Sequence, residues 1–252
     1  MSEIRGIYTL WLREVKRYVR ERTRLISSFF QPLLWLVIFG SGLRFSSIGP
    51  SGIDYQEFIF PGIVGQTLLF TSMFMGISVI WDREFGFLKE ILVAPISRSS
   101  VFVGKKLCGS TDAVIQGSFV FSFSFLVGIN MNIEAFLYSL PIMVLITFGL
   151  VSIGLILASF MESLESFGVI QTFVNLPLFF LSGSIFPLDH VPQWLRWISF
   201  VNPLTYGVDA LRTVILKGAW SPLFPLEFDL LAVVLFDVTM IVVGTFVFGR
   251  RR

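Results

Sequence analysis

The chain has 252 residues, of which 54% are hydrophobic, 16% aromatic and 14% charged, and its mean hydropathy is +0.80; a soluble domain carries about 25% charged residues. So little charge cannot cover a globular surface in a chain with 29 Phe, which excludes a water-soluble fold and makes lipid the main solvent. The net charge of +2 does not point to nucleic acid, the single Cys108 excludes an internal disulfide, and one His, His190, without a Cys cluster argues against a zinc site or His-based catalysis.

Residues 1–24 alternate apolar and basic positions at helical spacing, with Ile4, Tyr8, Trp11, Val15 and Tyr18 opposite Arg13, Lys16, Arg17 and Arg20. The pattern predicts an interfacial helix on the cytoplasmic leaflet, held by anionic lipid or touching a cytosolic partner. Beyond it, six runs reach the roughly 20 apolar residues a helix needs to cross the hydrocarbon core. Leu25 to Leu43, Phe58 to Trp81, Ala113 to Ile133, Ala135 to Met161 and Ser166 to Leu188 are free of charge, and Leu230 to Gly249 contains only Asp237. They place transmembrane helices at 25–43, 58–81, 107–129, 135–161, 166–188 and 230–249 in an all-α, polytopic membrane protein. The first run is longer than the core of a secretory signal, so it is expected to remain as a span.

Lys and Arg in the connections set the orientation. Seven precede the first span, five lie in 82–106 and three in the tail, against Arg44, Arg196, Arg212 and Lys217 on the other side. Both termini are therefore expected in the cytoplasm. The 82–106 connection mixes Asp82, Arg83, Glu84, Lys89 and Glu90 with Phe85, Leu88 and Leu92 before Pro95 stops the pattern and Ser97-Arg98-Ser99-Ser100 caps the next helix. A simple reversal needs only a few residues, so this length predicts a short amphipathic helix that docks another protein. On the outer side, Trp194, Trp197, Tyr206 and Trp220 stand among five prolines from Pro187 to Pro225, which suits short folded helices. Trp197 to Val208 is too short to span and is read as interfacial or re-entrant.

Within the spans, Thr67, Thr71, Phe74 and Ser78 form one helical stripe, and Gln171, Asn175, Phe179 and Ser182 form another. Hydroxyls, amides and rings in a groove suit amphiphilic or aromatic cargo, although the same groups also serve as hydrogen-bonding contacts between helices. Asp237 is the one acid well inside a span and should face protein or water, as a functional group or a buried hydrogen-bonding acid. Asp112 lies nearer the cytoplasmic boundary, His190 beside Asp189 reads as a solvated surface residue, and Gly154-x-x-x-Ala158 permits close helix packing.

Two motif regions carry a resemblance. One is Asp82-Arg83-Glu84-Phe85-Gly86-Phe87-Leu88-Lys89-Glu90 with Ala94-Pro95 and Gly104-Lys105. The other is Leu181-Ser182-Gly183, Phe186-Pro187-Leu188, Asn202-Pro203-Leu204-Thr205-Tyr206 and Asp209-Ala210-Leu211-Arg212. Along almost the whole chain the sequence resembles the ABC-2 type permeases, especially the membrane subunits of daunorubicin-resistance-like multidrug exporters. The resemblance implies a half-transporter in the cell membrane that pairs with a second copy of itself and with two ATP-binding-cassette subunits. It makes the 82–106 connection a coupling helix, with Glu84, Phe85, Gly86, Leu88, Leu92 and Pro95 as ATPase contacts. Glu162 and Glu165 in the short fourth-to-fifth connection would form a second contact. Residues 189–229 become re-entrant helices closing the outer end, with Pro203, Tyr206, Asp209 and Arg212 as an extracellular gate.

No Gly-x-x-x-x-Gly-Lys-Ser/Thr loop occurs; Gly104-Lys105-Lys106 has Ser99 at the upstream glycine position and no hydroxyl at the end. The chain is therefore expected to carry no cofactor, with ATP and Mg bound by the partner. Export of lipid-linked polysaccharide or lipid stays open as an alternative cargo. An ion-coupled secondary transporter would need more intramembrane charge and paired broken helices.

Overall fold

The computed structural model describes residues 3–20, 30–38, 47–48, 53–85, 97–124, 132–218 and 220–250. In chain order these form α1 (Glu3–Arg20), a helical segment α2 at 30–38, a two-residue antiparallel pair β1 (Ser47–Ile48) and β2 (Ile53–Asp54), and then α3 (Tyr55–Glu84), α4 (Arg98–Ser124), α5 (Ile133–Phe160) and α6 (Leu164–Phe180). A 3-10 turn at Leu188–His190 leads to α7 (Gln193–Val201), α8 (Pro203–Leu216) and α9 (Leu226–Arg250).

The centre of the bundle is α3, flanked by α4, α5, α6 and α8. Every residue from Phe58 to Leu69 is buried, as expected of a helix that is apolar on all sides and enclosed by others. Two glycines set how closely its neighbours approach. A Cβ on Gly76 would lie 2.5 Å from the Gly154 carbonyl oxygen of α5, and one on Gly62 would lie 2.4 Å from the Ser184 carbonyl oxygen. The Gly154–Ala158 face expected to pack closely does so: Ala158 is fully buried and a Cβ on Gly154 would meet the Met73 backbone. On the far side of α5, α9 presents Leu231, Leu235, Val238, Val242 and Phe246 outward.

Three described helices are long and apolar enough to cross a membrane: α3, α5 and α9 from Leu226 to Phe248. They overlie the spans expected at 58–81, 135–161 and 230–249, with α5 ending one residue before Met161 and the apolar stretch of α9 one residue before Gly249. The span expected at 166–188 corresponds to α6, which stops at Phe180 after 17 residues. At about 25 Å it falls short of a hydrocarbon core of about 30 Å. The chain leaves it through turns in which Gly183 takes φ +71°, a left-handed conformation that suits glycine. The helix expected at 107–129 begins at Arg98, because the Ser97 hydroxyl accepts the Ser100 N–H at 3.2 Å and caps it. Lys105 and Lys106, counted with the connection, are thus helical and buried.

Candidate functional site

At one end of the bundle, α1 lies along α4 with Gly6, Leu10, Glu14 and Tyr18, spaced by four, on its buried face. Gly104 of α4 admits this contact, since a Cβ there would come within 3.1 Å of Leu10. Glu3 fastens the start of α1 by accepting the Ser97 N–H at 3.2 Å and the hydroxyls of Ser97 and Ser100, and these bonds hold its carboxyl below the usual range. Further along, Trp11 donates to Thr111 at 3.1 Å, while Gln116 donates to the Tyr18 hydroxyl at 2.7 Å and accepts from Thr71.

A four-charge cluster joins α1, α3 and α4. The Lys105 ammonium donates to Asp82 at 2.5 Å and to the Ser78 hydroxyl at 3.0 Å, and lies 3.8 Å from Glu14. Arg13 pairs with Glu14 and reaches Asp82 at 3.4 Å. With two charges of each sign the cluster is neutral, which permits its burial. Burial alone would push Glu14 upward, but Lys105 and Arg13 outweigh it and hold the carboxyl below its ordinary value.

Next to this cluster, the Arg83 guanidinium donates to the Met161 carbonyl at 2.8 Å and ties the end of α3 to the turn between α5 and α6. The two segments expected to meet an ATPase are therefore joined directly. Glu84 and Phe85 are exposed at the end of α3, and Glu162 and Glu165 are exposed on the other segment. Gly86, Leu88, Leu92 and Pro95 lie outside the described residues.

The two polar stripes fare differently. Thr67 and Thr71 are buried, bonded to the Ile63 carbonyl and to Gln116, whereas Phe74 is exposed and Ser78 half-buried. Phe74 and Ser78 line a cleft with Ile77, Trp81, Glu14, Arg17, Tyr18 and Asp112, where the Arg17 guanidinium stands 4.8 Å over the Trp81 ring. On α6, Gln171, Asn175 and Phe179 form the buried face with Phe167, and Phe179 meets Trp35 edge-on at 5.8 Å. Ser182 follows the helix end, and its hydroxyl bonds Ser184 at 2.6 Å. The open face of α6 is apolar, carrying Val169, Phe173, Leu176 and Phe180.

At the opposite end, Asn202 caps α8 by accepting the Leu204 N–H at 3.0 Å, with Pro203 at the first helical position, and donates to the Leu178 carbonyl at 2.7 Å. Tyr206 donates to the Phe200 carbonyl at 2.6 Å, fixing α7 against α8. Arg212 is buried against the rings of Phe58 at 4.0 Å and Trp220 at 4.9 Å and donates to the Gly183 carbonyl at 3.0 Å. Asp209 accepts N–H groups from Leu223 at 2.8 Å, Phe224 at 3.2 Å and the Trp220 indole at 3.3 Å; burial still pushes its carboxyl upward. The four residues expected at an outer gate thus belong to one cap that binds the end of α6 to α8.

Asp237 is buried on α9, and sequence reasoning missed its neighbour Lys106, which the start of α4 at Arg98 carries into the bundle. Nothing in the local pattern marked Lys106, because it abuts a second lysine at the edge of an apolar run.

Comparison with known proteins adds to this geometry. The profile of the ABC-2 type transporter family matches residues 5–216. The transport permease ycf38 of Cyanophora paradoxa is 33% identical over 250 residues, covering 93% of this chain and 86% of its own length. Nodulation protein J of Rhizobium leguminosarum bv. viciae is 24% identical over 194 residues, 76% of this chain and 74% of that protein. The multidrug ABC transporter permease YbhR of Escherichia coli (strain K12) is 29% identical over 185 residues, 69% of this chain and 49% of that protein.

Proposed function

The chain belongs to the ABC-2 type transporter family, and from that premise we propose that it is the membrane subunit of an ATP-driven exporter of drug-like or amphiphilic molecules. Two copies form the path in the cell membrane, each crossing six times with both termini in the cytoplasm, and two separate ATP-binding-cassette subunits hold the ATP and Mg. The observation that carries this reading is the Arg83–Met161 bond. It makes the two cytoplasmic connections a single mechanical unit, with Glu84, Phe85, Glu162 and Glu165 free to meet a partner.

In this mechanism the ATPases close and push on that unit. The displacement passes into α3 and α6, which share it through Arg83, and into α1 and α4 through the Lys105 cluster. Phe74 and Ser78 line the cytoplasmic end of the path, and the Asp209–Arg212 cap closes the other end. A two-state device of this kind needs contacts that differ between its states. The ring of Phe74, the edge of Trp81 and the nearby hydroxyls suit a cargo with an apolar body and a polar tip.

The test is reconstitution with the ATP-binding-cassette subunit that co-purifies with the chain, measuring ATP hydrolysis and dye efflux together. Arg83→Ala and Leu88→Asp are expected to lower efflux at least tenfold while hydrolysis continues. Undiminished efflux in both variants, or transport by the chain without a partner, would overturn the proposal.

A further inference from the structure

Where α5, α8 and α9 meet, an open groove of about 460 Å³ is walled by Tyr138, Ile142 and Leu145 of α5, Val214 of α8, and Leu226 and Leu230 of α9. The three α5 residues follow helical spacing, so the groove runs about 10 Å along that helix. None of the described residues of α6 lines it, and it shares no residue with the cleft at Phe74 and Ser78. One rim is charged. Lys217 stands at the groove, pairs with Glu134 and lies 5.8 Å from the centre of the Tyr138 ring. Both charged side chains stay exposed, and since an ammonium has three donors and a carboxylate two acceptor oxygens, each has hydrogen bonds to spare. Lys217 is also the only non-glycine among the described residues with a positive φ, at +22°. Such a conformation is costly for an L-residue and persists where its surroundings hold it. Here it ends α8 with the ammonium at the rim of the groove.

Two of the three walls, α5 and α9, are helices long and apolar enough to cross a membrane, so the medium that reaches this groove is the acyl chains around the protein. An acyl chain arrives with its headgroup, and the rim decides which headgroup fits. A purely anionic one would meet the Glu134 carboxylate beside Lys217. A quaternary ammonium would have no N–H to donate to that carboxylate. A phosphodiester carrying a primary ammonium answers both charges, with its phosphate accepting from Lys217 and its ammonium donating to Glu134. We propose that the groove binds one phospholipid of the ethanolamine type, its acyl chain laid against α5 and α9 and its headgroup across the Lys217–Glu134 pair.

The test is native mass spectrometry of the full chain titrated with an equimolar mixture of phosphatidylethanolamine, phosphatidylcholine and phosphatidylglycerol bearing the same acyl chains. The wild type should retain the ethanolamine lipid about threefold over each of the others, the scale of an exposed charge pair. Lys217→Gln and Glu134→Gln, both confined to the exposed rim, should each reduce that preference. Leu230→Trp, which fills the groove, should lower retention of all three lipids; where it fails to fold, the two rim variants decide. Equal retention of the three lipids by the wild type, or an undiminished preference in either rim variant, would overturn the proposal. So would full retention by a folded Leu230→Trp, or a two-copy species that excludes lipid, which would assign the groove to the second copy. Lipid retention is read without nucleotide or cargo, so a failed efflux test leaves it standing.

Discussion

Lys105 joins α1, α3 and α4 at one end of the bundle. Its ammonium serves Asp82, Ser78 and Glu14 at once from a position with 1% of the side chain exposed. Lys105→Met would leave two buried carboxylates facing each other, with Arg13 and Arg17 as cations near Glu14, at a cost of about 3–5 kcal/mol. A thermal melt of the purified variant should show that loss, and an unchanged melting temperature would contradict the role given to Lys105. The same cluster makes the hold on α1 depend on pH. Glu14 is held below its ordinary value, so its stabilisation is complete above that value, about 4.3, and is lost as pH falls through the lower folded one. Amide exchange in α1, corrected for intrinsic rate, is expected to be flat from about pH 7 to 5 and to rise only below about 4. A rise near neutrality would point to a different titrating group.

Among the elements, α3 and α5 touch backbone to backbone, where Gly76 meets the Gly154 carbonyl and Gly154 meets Met73. Gly154→Val would force them apart, and overpacking of this kind costs about 1–3 kcal/mol. The expected result is a lower melting temperature, whereas the same change at Gly168, which has nothing within 4 Å, should leave it nearly unchanged. The existence of α3, α5 and α9 was legible because long apolar runs have few alternatives to a helix. Their ends were not. A charge-based ruler put Lys105 and Lys106 outside the bundle, but Glu14, Asp82 and Asp237 compensate them inside it. The stop of α6 at Phe180 depends on the left-handed turn at Gly183, which an apolar run conceals. The polar stripes were legible as stripes only. A period of 3.6 places Gln171 and Asn175 on one face without saying whether that face meets another helix, as it does here, or an open path.

For the whole molecule, the uneven dress of α6 bears on assembly. One face is packed into the chain, while Val169, Phe173, Leu176 and Phe180 form an outward apolar row. Under the two-copy architecture proposed above, this row is where the second copy sits. Phe173→Arg should then shift native mass spectra from two copies to one while the protein still reaches the membrane. If the row instead faced lipid, the arginine would meet hydrocarbon and the protein would be lost from the membrane fraction. The cap built around Asp209 and Arg212, by contrast, is assembled within one chain, where Arg212 meets both rings and the Gly183 carbonyl.

Cys108 is the chain's one thiol, and it is sealed inside α4 with its sulfur turned toward Asp112 at 3.9 Å. Maleimide reagents and spin labels, which need an accessible thiolate, should therefore find the wild-type protein silent. Reporter cysteines could be introduced on Phe85 or Glu162 without first removing the native one, so movement at the end of α3 and at the α5–α6 turn can be followed by spectroscopy in an otherwise unaltered background.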